Sequence, residues 1–416
     1  MANEEKRRVL LALAPILLQP PPTIQAAQLL YPEPETADAA GLIGAAAFAV
    51  MDAAEPRQPP RPQQGGYRIT TKYLQEIPET EALWMFRCVP VVFRFRFQLI
   101  GWNSSMRSQD LLQLVEILHL PGEIVTHAGH RFNRVEAFAL TCARLASAGD
   151  EFDLSARYDR SQSAISQVFN EVILFLDHKW GHLLQFDFSH LLSPTNLERY
   201  ATAIFNSGSP MRHVWGFIDC TARPMCRPSR HQRQAYNGHK HFHGLKYQAI
   251  MLPNGLFGHL YGPIEGRHND AFVLDESGIM DECIRHTKLP GGGDEAADEF
   301  DTSREVRYFQ LFGDPAYGLN EQIISPYPKA GRTDEQQKWN TQMSKVRIEV
   351  EHGFAVVTNN WKFLQARWKL RLFQSPIGSY YRVAVLLTNA LACIQPNQVA
   401  KFFNCHPPSL EDYFHN

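Results

Sequence analysis

Between residues 211 and 394 short apolar runs and helical stretches follow one another in an order that few folds accept. Val214–Cys220 is an apolar run, Leu245–Leu252 is a second, and Leu256–Pro263 is a third. Pro253-Asn254-Gly255 separates the last two, and that tripeptide between apolar runs reads as a hairpin turn. A helix is expected over 270–286, a strand over Tyr308–Phe312 and a long helix over about 335–360. Phe363–Phe373 reads as a further strand and 380–394 as a closing helix. The hairpin supplies antiparallel pairs and the helical crossovers supply parallel ones. The expected class is α/β, a mixed sheet flanked by helices.

Four acidic residues stand at the edges of these elements. Asp219 ends the first run, Asp270 opens the 270–286 helix, Asp314 follows the Tyr308–Phe312 run, and Glu351 lies within the long helix. Unpaired carboxylates in such places are costly to bury, and several together usually share a divalent cation. Nucleases of ribonuclease-H-like fold gather metal ligands from these positions. Mg²⁺ and Mn²⁺ favour hard carboxylate oxygens. Two ions about 4 Å apart activate a water or 3′-hydroxyl and stabilise the leaving oxygen.

Each acid also has a purely structural reading. Asp270 follows Asn269 and is placed to cap its helix. Asp314-Pro315 is a turn-initiating pair. Glu349 and Glu351 occupy different helix faces, and Arg347 is spaced to pair with Glu351 for about 0.2–0.5 kcal/mol. Only the joint placement of the acids on the strand order is informative.

The N-terminal half differs in texture. Lys6-Arg7-Arg8 precedes a short apolar stretch, but Glu4, Glu5 and the lack of a small-x-small cleavage site favour a short helix over a signal peptide. Residues 1–66 form a low-complexity arm rich in Pro, Ala and Gln, expected to be poorly ordered, and 67–130 a helical region. Within 131–190, helices are expected over 134–147, 152–158 and 162–176, the last capped by Ser161. Gln162, Ser163, Ser166 and Gln167 lie largely off its apolar face. Two helices joined by a tight turn match a helix-turn-helix, with an ordinary helical bundle as the alternative.

Lys+Arg number 41 against 43 Asp+Glu, so the chain is no polycation and any DNA contact needs a local patch. One exists between Arg223 and Lys246, which includes Arg227, Arg230, Arg233 and Lys240 and contains no acid. It is expected to contact phosphate, a solvated basic loop being the bland reading. His239, His241 and His243 alternate without a nearby cysteine partner, a poor zinc pattern. Trp361, Lys362, Arg367, Trp368, Lys369 and Arg371 interleave aromatics with cations, as in an amphipathic strand. The 7 cysteines are never spaced Cys-x-x-Cys. No apolar run approaches the ~20 residues of a membrane helix.

Several motifs together carry a resemblance. They are Gly-Phe-Ile-Asp-Cys-Thr (216–221), Arg-Pro (227–228), Tyr-Asn-Gly-His-Lys (236–240) and His-Gly-Leu-Lys-Tyr-Gln (243–248). Leu-Pro-Asn-Gly-Leu (252–256), Gly-Pro-Ile-Glu-Gly-Arg-His-Asn-Asp (262–270), Leu-Phe-Gly-Asp-Pro-Ala-Tyr (311–317) and Arg-x-x-Val-Glu-x-x-Phe (347–354) continue the series. In this order they resemble the DDE domain of PIF/Harbinger superfamily transposases, and the tail Pro-Pro-Ser-Leu-Glu-Asp-Tyr-Phe (407–414) is similar to tails of that group. The resemblance implies a ribonuclease-H-like catalytic domain over 211–395, a helix-turn-helix before it and a tail over 396–416. It also implies Mg²⁺- or Mn²⁺-dependent cleavage of DNA at transposon ends, followed by strand transfer. Asp219, Asp314 and Glu351 become the catalytic triad, with Asp270 a fourth metal-binding acid. A separate Myb-like partner, a homo-oligomer and a nuclear location are further expectations. The acidic stretch 291–303 and the order His352-Gly353-Phe354 depart from the family pattern. The alternative function is a host-recruited DNA-binding or scaffold protein of transposase origin, catalytically idle. A hydrolase of some other phosphoester is a third reading, disfavoured by the basic loop.

Overall fold

The computed structural model describes residues 66–77, 85–86, 108–289 and 308–415. The expectations for the arm, the N-terminal helix, much of the 67–130 helical region and the acidic stretch 291–303 fall outside these residues, as does the side chain of Glu351. Residues from Gln64 onward form one compact unit.

The N-terminal part is helical: α1 is Thr71–Glu76 and α2 is Ser108–Ile117, followed by a small hairpin of β1, Glu123–Val125, and β2, Arg131–Asn133. Then come α3 (Arg134–Ala146), α4 (Glu151–Tyr158) and α5 (Gln162–Trp180), close to the expected bounds. Ser161 caps α5 by accepting the Ala164 N–H at 3.2 Å, after a left-handed Asp159 closes α4. Arg160 fixes the turn with two bonds to Glu136, at 2.8 and 2.7 Å. A further helix α6, Pro194–Asn206, starts on proline, whose missing N–H costs nothing there.

The α/β part follows the expected order. Strand β3 (Val214–Pro224) is central; α7 (Gln232–Ala235) and β4 (Tyr236–Asn237) lead to β5 (Phe242–Met251) and β6 (Phe257–Glu265). The β5–β6 turn closes where the Leu252 N–H meets the Leu256 carbonyl at 2.9 Å. Helices α8 (Asp270–Glu276) and α9 (Ile279–His286) precede β7 (Gln310–Phe312) and β8 (Ile323–Ile324). Strand β5 lies antiparallel between β3 and β6, whereas β7 is parallel to β3 and β8 parallel to β7. The spatial order β6-β5-β3-β7-β8 is that of a ribonuclease-H-like sheet. Helix α10, Asp334–Asn360, opens with a capping box between Thr333 and Gln336. Helices α11 (Ile377–Ile394), α12 (Gln398–Phe402) and α13 (Leu410–Tyr413) close the chain.

Two expectations are corrected. The single helix over 270–286 is two, because Gly278 takes a left-handed φ of +62° while the buried Gln248 holds Ser277 at 3.0 Å. Phe363–Phe373 is not a strand but two 3-10 turns, Lys362–Gln365 and Arg367–Lys369. Its buried residues Trp361, Phe363, Leu364, Ala366 and Leu370 do not alternate. Trp361 with Leu364, and Phe363 with Ala366, are three apart, which suits a 3-10 turn rather than a pleat.

Helix α11 is long and apolar enough to cross a membrane by composition, yet most of it is buried in the fold. It packs on both α5 and β6, so the helical part and the sheet share one core. Its buried Asn389 accepts the Phe257 N–H at 2.9 Å and donates to the Phe257 carbonyl and the Tyr413 hydroxyl, each at 2.9 Å. Asn389→Ala would strand these groups and should cost about 2–4 kcal/mol; urea titration reads the loss, and a midpoint unchanged from wild type refutes it.

Candidate metal centre and nucleic-acid surface

Asp219 sits on the central strand opposite Ala249 of β5, where the apolar stretch of β3 gives way to partly exposed residues. Its Oδ1 accepts the Cys220 N–H at 2.8 Å and Arg347 stands 3.9 Å from Oδ2. Burial is the largest influence on its carboxyl and pushes its pKa up, the negative charges of Asp314 and Asp270 push the same way, and Arg347 and the Cys220 N–H offset part of the rise. The result is about 6, against an ordinary 3.8. The three aspartates therefore lie within electrostatic reach of one another.

Asp314 follows β7, the parallel neighbour of β3; β3 runs on to Pro224, so Asp219 lies within its strand and not at the end expected, and each carboxylate stands two residues past the last β3–β7 pair, Phe217 with Phe312. It caps a 3-10 turn, Pro315–Tyr317, accepting the Ala316 N–H at 2.9 Å, as the Asp-Pro pair suggests. Ser325 donates to the Asp314 carbonyl at 3.0 Å, and Tyr317 reaches back from the turn to the Cys220 sulfur at 3.2 Å. That contact ties the Asp314 turn to the residue beside Asp219.

Asp270 is not the cap of its helix. Asn269 is, accepting the Phe272 N–H at 2.8 Å, and Asp270 is the first helical residue. Its carboxylate is in short contact with Lys246, whose ammonium also donates to the His268 carbonyl at 2.9 Å. The Lys246 side chain is only 9% exposed, so it neutralises the acid cluster from within instead of facing phosphate as expected.

Glu351 stands on α10 one turn beyond Arg347. Helix α10 comes close to the sheet at Gly353, where a Cβ would lie 2.5 Å from the sulfur of Met251, the last residue of β5. Glycine at this position lets the Arg347–Glu351 turn approach the strand that pairs with Asp219.

The donor set suits a hard divalent cation. Half-buried carboxylates press on one another, and the guanidinium of Arg347 stands 3.9 Å from Asp219. Asp219 and Asp314 offer carboxylate oxygens for such an ion, with Asp270 beside them held by Lys246.

The basic segment divides by position. Arg223 is internal, bonding Thr221 at 3.1 Å through Nε and lying over the Tyr381 ring. Arg227, Arg230, Arg233 and Lys240 are exposed, Arg227 bonding Gln232 at 3.0 and 2.7 Å. The 3-10 segment joins this surface, with the Cys226 N–H meeting the Leu370 carbonyl at 2.9 Å and His231 against Phe373. Trp368 and Phe373 project there, 59% and 67% exposed. In the helical part, Gln162 and Ser166 are partly exposed and Ser163 is exposed, whereas Gln167 bonds both Ser163 and the Ala128 N–H in the β1–β2 turn. Motif reading missed Arg347 and Lys246 as the counter-charges of the acids.

Residues 218–389 match the family of DDE superfamily endonucleases, which supports a DDE-type, transposase-like nuclease domain over this stretch. No curated protein and no solved structure matches the chain.

Proposed function

We propose that this chain is a transposase of the PIF/Harbinger type that cuts, and rejoins, DNA at transposon ends. The observation that carries the reading is the placement of Asp219 and Asp314 side by side on the parallel strands β3 and β7, with Asp270 in electrostatic reach, within a stretch that matches DDE superfamily endonucleases. Mg²⁺ or Mn²⁺ bound there supplies Lewis-acid stabilisation of the phosphodiester and activates a water or 3′-hydroxyl. Asp219 and Asp314, each two residues past the last pair of the adjacent parallel strands β3 and β7, set the geometry; Glu351 completes the triad from α10, and Asp270 assists. Rigid elements hold such groups more closely than loops. Arg347 limits repulsion at Asp219 before the cation binds. Nicking of supercoiled DNA that needs Mg²⁺ or Mn²⁺ and vanishes in Asp219→Asn and Asp314→Asn tests the assignment. DNA binding without any nicking would favour the idle, host-recruited alternative.

The duplex backbone is proposed to lie along Arg227, Arg230, Arg233 and Lys240, with Trp368 and Phe373 available for stacking. The N-terminal turn of α5 is proposed to read the ends through Gln162, Ser163 and Ser166. A Myb-like partner and nuclear action accompany this reading. Replacing Arg230, Arg233 and Lys240 by alanine should weaken binding on all sequences and lower the salt-dependence slope by about 1 per residue. Fluorescence anisotropy across a salt series measures it, and an unchanged slope places the DNA elsewhere.

A further inference from the structure

A second cluster of metal-ligating side chains lies in the contact between the chain's tail and the loop before α6. Asp187, His190 and His415 bring one ligand atom each to within 4.8 Å of the others. His190 Nδ1 is 3.3 Å from Asp187 Oδ1, and His415 Nε2 is 3.3 Å from Asp187 Oδ2. The two imidazole rings stack at 3.7 Å.

We infer that these residues bind a transition-metal ion, with Zn²⁺ as the chemical match, separate from the carboxylate centre. Two imidazoles and a carboxylate suit Zn²⁺, and three protein donors leave a fourth position for water. Mg²⁺, which seeks oxygen, has little claim on the imidazoles. The site is organised in the manner of metal centres. Asp187 is oriented by the backbone N–H groups of His190 and Leu191, each at 3.1 Å. His415 Nδ1 lies 3.1 Å from the Asp412 carbonyl, a bond that only a protonated Nδ1 can make. In the neutral ring this leaves the Nε2 lone pair facing the carboxylate. Such an outer bond is the usual device for fixing a ligating tautomer. Lone pair against carboxylate is unfavourable unless a proton or a cation lies between them.

The location gives the ion a job. The tail holds the molecule together: Phe414 packs edge-on against Trp180 at 5.1 Å, Tyr413 bonds Asn389, and Glu411 accepts from Gln113 of α2 at 3.0 Å. A metal on His415 fastens the end of this strap to the Asp187–His190 loop, stabilising α2, α5 and α11 in their shared packing.

The test uses the full chain, stripped with chelator and returned to millimolar Mg²⁺ so that the carboxylate centre is occupied. Zn²⁺ is then titrated by calorimetry, with bound metal counted by elemental analysis. Expected is one equivalent of zinc in the wild type and in Asp219→Asn, with a raised thermal midpoint in both. His190→Ala and His415→Ala should each weaken binding by about tenfold or more and abolish the midpoint rise. The His190 side chain is 53% exposed, so its removal leaves folding intact, and the zinc-free midpoint confirms that. No zinc binding in the wild type, or equal binding in wild type and both variants, overturns the inference.

Discussion

Asp219→Asn should abolish DNA nicking and at the same time stabilise the metal-free protein. The two effects have one cause. Moving a carboxyl from 3.8 to about 6 means that the fold disfavours its charged form by about 3 kcal/mol. With a quarter of the side chain exposed, solvent screening brings this to about 1–3 kcal/mol. The isosteric amide keeps an oxygen for the Cys220 N–H and carries no charge, so the penalty is relieved. The sign follows from the raised pKa. Below pH 3.8 the group is protonated in both folded and unfolded chains and the variant gains nothing. Between 3.8 and about 6 the unfolded chain ionises first, wild-type stability falls, and the variant's advantage grows. Above that the advantage is constant. Catalysis moves the other way. Weakened Lewis-acid stabilisation worth about 4 kcal/mol corresponds to a loss of about 10³-fold. Added Mg²⁺ or Mn²⁺ should raise the thermal midpoint of the wild type and leave that of Asp219→Asn nearly unchanged. Thermal unfolding from pH 3.5 to 8, paired with plasmid nicking, reads both limbs. A variant that nicks at wild-type rate, or that melts earlier at pH 8, contradicts the assignment of Asp219 as the buried centre of the site.

The paired effects also explain how much of this site was legible beforehand. Val214–Cys220 and the Pro253-Asn254-Gly255 turn announce the central strand and its hairpin, because apolar runs and turn chemistry act locally. Asp314 could be placed just past its strand from the Tyr308–Phe312 run, whereas Asp219, expected at a strand end, lies within β3, which runs on to Pro224. What escaped is what depends on the third dimension. Strand β8 is two residues, too short to show a period, and is recruited by pairing with β7. The break at Gly278 depends on Gln248, buried in a strand distant in sequence. The 3-10 turns after Trp361 carry the same aromatics and cations as an amphipathic strand, and only their three-residue spacing separates the two. The partners of the acids are the largest gap. Arg347, spaced for Glu351, comes within 3.9 Å of Asp219, and Lys246 looked like one more phosphate contact in a basic loop. The cluster of Asp187, His190 and His415 was invisible for the same reason, since His415 joins Asp187 only when the tail folds back across the molecule.

Lys246→Met is the second large effect and decides what Asp270 does. Breaking a buried ion pair from one side commonly costs 3–5 kcal/mol, because the other charge stays behind. Asp270 is 23% exposed and can recover some hydration, so a loss of about 2–4 kcal/mol is expected near neutral pH. Methionine fills much of the lysine's volume, which limits any cavity contribution. Asp270→Asn alone leaves the ammonium buried and should also destabilise. The double variant removes both charges and should recover most of the loss, giving a coupling of about 1–3 kcal/mol in the cycle. The released Asp270 carboxylate adds its charge to a cluster that already raises Asp219, so the pH at which nicking falls away should move upward in Lys246→Met. If Asp270 is a ligand held in reserve by Lys246, Mg²⁺ or Mn²⁺ must restore more stability to Lys246→Met than it gives the wild type, and this excess must disappear in the double variant. If metal stabilises Lys246→Met and the wild type equally, Asp270 serves only as the partner of Lys246 and is not a ligand.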